Sequence, residues 1–293
     1  MELTAQFKER VRDEVLSRRK NYEGSDKNYA NSLGIAPSSY SKFKNGEVDR
    51  VISNNELLRL GMELNVSVNS FAWKIARTEV YNNIESNLKH CQEFSQSMIL
   101  VDEWGIGKTA SAMHIIKSMR NAFYIDCSQC KTKRLFIKAI AKVIGVDSRG
   151  TYMDIKNKSK YYLNIMEKPL IVLDDAGDLD YAAFLELKEM LNGTEESCAW
   201  YLIGDDSLAE KINKGKENKK VGYGAIFSRF GEDYINIVPQ PKEDKQSFYI
   251  KLLTDVANIN VADKDKALNI VRKSMAQEGS LRYLKNLIKV NSK

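Results

Sequence analysis

The sequence predicts an α/β chain: a parallel sheet flanked by helices, preceded by an all-α helix-turn-helix domain and followed by a C-terminal helical lid. Three observations predict it. From residue 97 onward, short apolar runs alternate with helix-patterned stretches, the pattern of a parallel sheet covered by helices. Two of those runs, 169–173 and 199–203, are apolar throughout, as strands buried on both faces are. Short helical segments with turn residues between them fill the first 66 positions instead. Four segments follow: a helix-turn-helix domain at 1–66, a connector helix at 67–95, an α/β domain at 96–240 and the helical lid at 241–293.

The first helix of the N-terminal domain runs from Ser25 to Leu33 and turns Tyr29, Ala30 and Leu33 inward. Gly34 supplies the turn after it. Pro37 suits the first position of a second helix, with Tyr40 and Phe43 three apart on its buried face. Ser38, Ser39, Ser41, Lys42 and Lys44 remain for the outside, and Asn45-Gly46 ends it. Ser53 and Glu56 form a capping box that opens a third helix through Leu57, Leu58 and Leu60. This is a helix-turn-helix. Its wording is similar to the phage repressor type, in which the second helix enters the major groove of double-stranded DNA. Ser38, Ser39 and Lys42 are the candidate contacts. The face carries no Arg or Gln, so it suits phosphate contact better than base readout. A helical protein-docking module is the competing reading.

In the connector, Val80, Tyr81, Ile84 and Leu88 recur at helical spacing. The α/β domain then offers strands at 97–101, 122–125, 169–173, 199–203 and 234–238, with helices at 131–144 and 183–191 between them. Beyond Pro239 and Pro241 the chain reads as helix to its end.

The chain carries four prolines, a net charge of +6 and 293 residues, enough for a full core and an accessory domain. The charge permits a polyanionic partner and is equally served by solubility. No run of eighteen apolar residues is present, and the N-terminus lacks a basic region leading into an apolar one. A cytoplasmic setting is expected. Cys127 and Cys130 form a CxxC without a second cysteine pair, so buried thiols are expected in preference to a zinc site.

The chemistry concentrates in three places. Gly105-Ile106-Gly107-Lys108-Thr109-Ala110 stands between a strand and a helix, which is the context of a P-loop. Glycines there let backbone N–H groups wrap phosphates, Lys108 reaches the β- and γ-phosphates of ATP, and the Thr109 hydroxyl meets Mg²⁺. Asp102 occupies the first position of the motif, where Gly is usual. An acidic side chain facing phosphate would be repelled, so Asp102 is expected to turn away. The run Leu170-Ile171-Val172-Leu173-Asp174-Asp175 delivers two carboxylates to the C-terminal edge of the sheet. Asp174 is the candidate Mg²⁺ ligand through water, and Asp175 the general base, with a helix cap as its alternative role. Lysines and arginine at Lys131, Lys133 and Arg134 follow the second strand, a candidate DNA-phosphate surface. A second lysine group, Lys211, Lys214, Lys216, Lys219 and Lys220, reads as a solvated glycine-containing loop.

Three further positions fall in the order of AAA+ P-loop ATPases. Asp205, after the run 199–203, takes the place of the residue that senses the γ-phosphate. Arg229, in Ile226-Phe227-Ser228-Arg229-Phe230, resembles an arginine finger, and Arg282, in Gly279-Ser280-Leu281-Arg282, the second sensor. Together with the helix-turn-helix, Trp104–Thr109 by its motif, Leu173-Asp174-Asp175-Ala176 and Leu202-Ile203-Gly204-Asp205-Asp206, they make the chain resemble the transposition protein B family of Mu-like phages and transposons. The resemblance implies an AAA+ ATPase that binds DNA with ATP and Mg²⁺, self-assembles as a filament, selects the transposition target and activates a DDE transposase. The family more commonly has Glu at the position of Asp175 and Asn at that of Asp205, which implies slow hydrolysis. A helicase-loader-like ATPase, an ATP-controlled transcription regulator and a signalling switch that binds no DNA are the alternatives.

Overall fold

The computed structural model describes residues 3–22, 24–64, 66, 73–147, 150–277 and 279–291. The first domain is four helices around their own core: α1 (Ala5–Arg19), α2 (Asp26–Ser32), α3 (Pro37–Lys44) and α4 (Asn54–Glu63). Val11, Val15, Tyr29, Ala30, Tyr40, Phe43, Leu57 and Leu60 fill that core, while Leu33 packs at its margin. α2 and α3 meet at Gly34, whose φ of 67° is costly for any residue with a side chain. The Ser53–Glu56 capping box opens α4 as the sequence predicts. Arg12 of α1 donates to the carbonyls of Phe43 and Lys44, at 2.9 Å each, and so caps the C-terminal end of α3.

α5 (Glu79–Phe94) lies on the sheet itself. Val80, Tyr81, Ile84, Leu88 and Cys91 are buried against the face of the sheet that carries Leu100, Val172 and Tyr201. The helix expected as a connector is therefore part of the α/β core. Residues 67–72 of that segment lie outside the described residues.

The sheet contains β1 (Met98–Val101), β2 (Ala122–Asp126), β3 (Leu170–Asp174) and β4 (Ala199–Gly204). All pairings are parallel, in the order β1-β4-β3-β2. β3 and β4 are central, and every residue in both is buried. Between the strands run α6 (Lys108–Ile116), α7 (Lys133–Val143), α8 (Tyr152–Ile165) and α9 (Tyr181–Gly193). α10 (Asp206–Glu217) and α11 (Tyr223–Arg229) follow β4. The expected strand at 234–238 is a single parallel bridge, Ile235 to Leu100, on the free edge of β1. It goes no further because the N–H groups of Ile237 and Val238 turn to the Asp102 carboxylate, and Pro239 follows.

α12 (Lys242–Asn260), α13 (Lys264–Met275) and α14 (Leu281–Asn291) form the lid. Leu253, Val256, Ile270, Val271, Leu284 and Ile288 close a separate core there. No described helix is long and apolar enough to cross a membrane.

α1 and α8 go beyond the elements read from the sequence, and the lysine-rich loop is a correction. Lys211, Lys214 and Lys216 lie on α10, whose buried face is Leu208, Ile212 and Gly215. Asp205 caps the helix through Ser207. Lys211 folds inward and donates to the carbonyls of Gly177, at 2.8 Å, and Leu179. Lys216 covers the Phe227 ring and Lys220 the Tyr181 ring. Lys214, Lys216, Lys219 and Lys220 stay exposed, so the segment is largely a helix with solvated lysines in place of the expected loop.

Candidate nucleotide site

β1 ends at Val101, and the next six residues wrap back to start α6 at Lys108. Gly105 and Gly107 take φ of 79° and 99°, a left-handed backbone that aims successive N–H groups into one concavity. The N-terminus of α6 opens onto that concavity, where its dipole favours anions. Ile106 is buried beneath the loop, and Thr109 and Ala110 are exposed at the start of the helix.

Asp102 is buried and does turn away. One carboxylate oxygen accepts from Ile237 and Val238, and the other from Glu103 N–H at 2.7 Å. The acidic residue thus anchors the chain entering the lid, its carboxylate taken up by three backbone N–H groups. Lys108 Nζ donates to the carbonyls of Asp102 and Glu103, each at 2.7 Å. Burial pushes its pKa below the ordinary lysine value, while Asp102, Asp174, Asp205 and Asp175 pull the other way. The lysine and the three carboxylates expected to serve it are therefore neighbours.

Asp174 closes β3 and is 2% exposed. Tyr124 of β2 donates to its Oδ2 at 2.7 Å, and the Asp175 N–H to its Oδ1 at 3.1 Å. These fix the carboxylate without using all its lone pairs. Asp175 takes a left-handed φ of 50° and is exposed at the sheet edge. Desolvation, and then Asp174, Asp126, Asp178 and Asp205, raise its pKa above the usual carboxylate range. A hydroxyl and a carboxylate are hard oxygen donors of the kind Mg²⁺ takes, with phosphates and waters completing the shell. Thr109 and Asp174 fit that ion.

Asp205 lies at the end of β4 and caps α10, its Oδ1 accepting from the Ser207 N–H at 3.0 Å and from the Ser207 hydroxyl. Those hydrogen bonds hold its pKa below the usual range. Arg282 stands in the first turn of α14, beside the loop, because Leu281 N–H donates to Gly105 carbonyl at 2.9 Å. Its side chain is exposed.

Arg229 is elsewhere. It ends α11 and lines a cleft with Ser97, Cys198 and Glu195. Ser97 and Cys198 immediately precede β1 and β4, so the cleft is at the N-terminal edge of the sheet, opposite the P-loop. Arg229 is half-buried, donates to the Ala225 carbonyl at 2.9 Å and lies 3.9 Å from Glu195. It is not part of its own subunit's nucleotide site.

Lys131, Lys133 and Arg134 are exposed after β2, on the same edge as Asp174. Lys131 pairs with Asp178 at 2.8 Å, and its carbonyl accepts from Asp180 N–H, which ties this corner to the loop carrying Asp175. Lys133 opens α7. In the N-terminal domain Ser38 and Lys42 are exposed and Ser39 half-buried. All four cysteines are buried free thiols. Tyr124 and Glu103 are the contributors that motif reading missed. Strand alternation could have found Tyr124, since it faces Val172 in the register, diagonal to Asp174.

An AAA domain family model matches residues 92–212, a span that holds the P-loop, Asp174, Asp175 and Asp205. The fold is the AAA+ P-loop fold, and an AAA domain is a nucleotide-binding ATPase module. No curated protein matches the chain. Among solved structures, the ORC1 protein of Aeropyrum pernix in complex with DNA is 16% identical with a TM-score of 0.51, over 73% of this chain and 63% of that one. This chain thus spans less than two thirds of the length of that relative. NtrX from Brucella abortus in complex with ATP is 13% identical over 86% of this chain and 62% of that one, with a TM-score of 0.45. Drosophila ORC bound to GC-rich DNA and Cdc6 is 11% identical over 72% and 78%, with a TM-score of 0.36. The first shares the fold; the other two are too distant to weigh.

Proposed function

We propose that the chain is an ATP-dependent DNA-binding protein that assembles on double-stranded DNA under nucleotide control, selects a transposition target and activates a DDE transposase. The observation that carries the assembly is the placement of Arg229 on the sheet edge opposite Lys108, Thr109 and Asp174. One subunit offers two incomplete halves. A second copy, stacked edge to edge, would bring Arg229 to the neighbour's γ-phosphate.

In this reading Lys108 leaves the Asp102 and Glu103 carbonyls for the β- and γ-phosphates. Thr109 would hold Mg²⁺, with Asp174 serving it through water; the ion, when bound, would offset phosphate charge. Asp175 polarises the attacking water, and its raised pKa favours proton acceptance. Arg229 of the adjacent copy offsets the charge that develops during transfer. Asp205 and Arg282 flank the γ-phosphate and report its loss. Lys131, Lys133 and Arg134, with Ser38, Ser39 and Lys42 of the helix-turn-helix, meet DNA phosphates. That the ORC1 protein, which shares the fold, is seen in complex with DNA supports the DNA-binding part of this reading. The transposase partner rests on the order of motifs along the chain.

Electron microscopy with duplex DNA, with and without ATP, tests the proposal. A helical filament that needs nucleotide is the expected result. A discrete footprint at one sequence would indicate a regulator, a preference for single strands a helicase loader, and no DNA binding a signalling switch. Each of these outcomes would displace the proposal.

A further inference from the structure

Glu103, the second residue of the P-loop, is held from three directions. Its N–H donates to Asp102 at 2.7 Å and its carbonyl accepts from Lys108 Nζ at 2.7 Å. Its carboxylate leaves the loop altogether and reaches the lid. Oε1 pairs with Lys245 and Oε2 accepts from the Tyr249 hydroxyl at 2.6 Å. Lys245 and Tyr249 are four apart on α12, so they project from one face of the helix. One helix turn thus grips both oxygens of one carboxylate. These contacts outweigh desolvation and hold Glu103 below the usual carboxylate range.

The lid and the segment leading into it touch the loop at one further point each. Asp102 takes the N–H groups of Ile237 and Val238, just ahead of α12. Leu281 of α14 donates to the Gly105 carbonyl at 2.9 Å. The approach there is close: a Cβ on Gly105 would sit 3.0 Å from Ser280, and one on Gly107 3.1 Å from Leu281. Residues 102, 103 and 105 therefore bind both ends of the lid, and Lys108 is tied to two of the three.

We propose that Glu103 is a positioning residue that couples the phosphate-binding lysine to the lid. This rests on the nucleotide reading of the P-loop. Lys108 cannot hold the Asp102 and Glu103 carbonyls and a β,γ-phosphate with the same ammonium geometry. When it turns to phosphate, the Glu103 peptide loses its inner partner and is free to rotate. Its carboxylate carries that rotation to Lys245 and Tyr249, and so to α12. A salt bridge between half-exposed groups contributes little stability by itself. The role is coupling between the loop and the lid.

Hydrogen exchange of α12 and α14, with and without Mg²⁺ and ATPγS, tests this on the full chain. In the wild type, ATPγS is expected to change exchange in both helices. Glu103→Ala should exchange faster in α12 without nucleotide, lose the ATPγS response there, and bind ATPγS about tenfold more weakly. Glu103→Gln keeps an acceptor for Tyr249 and should recover part of the response. Tyr249→Phe removes one hydroxyl from an otherwise intact lid and should fall between wild type and Glu103→Ala, which covers the case in which Glu103→Ala misfolds. Wild-type exchange and affinity in Glu103→Ala, correctly folded, would overturn the coupling. A wild type that neither binds nor responds to ATPγS would remove the nucleotide reading and the proposal with it, whatever the variants do.

Discussion

At the scale of single residues, the strongest test is Lys108. Its ammonium sits at the P-loop within the field of Asp174, Asp175 and Asp205, so Lys108→Ala should abolish ATP binding and, with it, ATP-dependent DNA binding. Retention assays on duplex DNA with and without ATP measure this. Lys211 gives a contrasting case. Its ammonium satisfies the Gly177 and Leu179 carbonyls in the interior. Lys211→Ala strands them, at about 1–3 kcal/mol, so thermal unfolding should occur earlier while DNA affinity holds. Asp26 supplies the pH dependence. Hydrogen bonds from Lys44, and then Arg19, hold its pKa below the usual carboxylate range. The stability it adds is complete above an unfolded pKa of about 3.9 and is lost as pH falls through the lower folded value. The group is largely solvated, so the contribution is about 0.5 kcal/mol. Asp26→Asn should melt slightly earlier than wild type at pH 7 and together with it below the folded pKa.

At the scale of elements, the sequence was most readable where one periodicity ruled. β3 and β4, apolar throughout, lie where their patterns put them. The turn at Gly34 and the Ser53–Glu56 box were legible because each motif is local chemistry. Gly34→Ala should cost the N-terminal domain about 1–2 kcal/mol, read by thermal melting. Less legible were elements whose character depends on distant partners. α10 looked like a loop because five lysines and a single apolar residue, Ile212, fill 211–220, yet three buried positions on one face and the Asp205 cap suffice. The run 234–238 looked like a strand, but Asp102, more than a hundred residues away, takes two of its N–H groups. Sequence separation also hid Glu103, 142 residues from Lys245, and Tyr124, 50 residues from Asp174, from the motif reading of the site. A P-loop pattern names the residues that face phosphate; it is silent on the side chains that leave the loop for the lid.

At the scale of the whole molecule, the decisive fact is that parallel strands give a sheet two chemically different edges. Lys108, Asp174, Asp175 and Asp205 gather at the C-terminal edge, and Arg229 sits at the other. No rotamer change carries an arginine across the length of the strands. Arg229 is therefore either a fold-stabilising partner of Glu195 or a group for a neighbouring copy, and the two roles separate experimentally. Arg229→Ala should leave ATP affinity unchanged, because the residue is remote from its own P-loop. If it serves a neighbour, the same variant loses ATP-dependent assembly on DNA and the hydrolysis that depends on assembly. Mixing Arg229→Ala with Lys108→Ala decides the matter. Each variant retains the half-site the other lacks, so mixed interfaces pair an intact P-loop with an intact arginine. Hydrolysis that reappears in the mixture, and is absent from either variant alone, requires Arg229 to act across the interface. A mixture as inactive as its components, with both variants folded, would leave Arg229 a structural partner of Glu195 and remove the composite site on which the assembly rests.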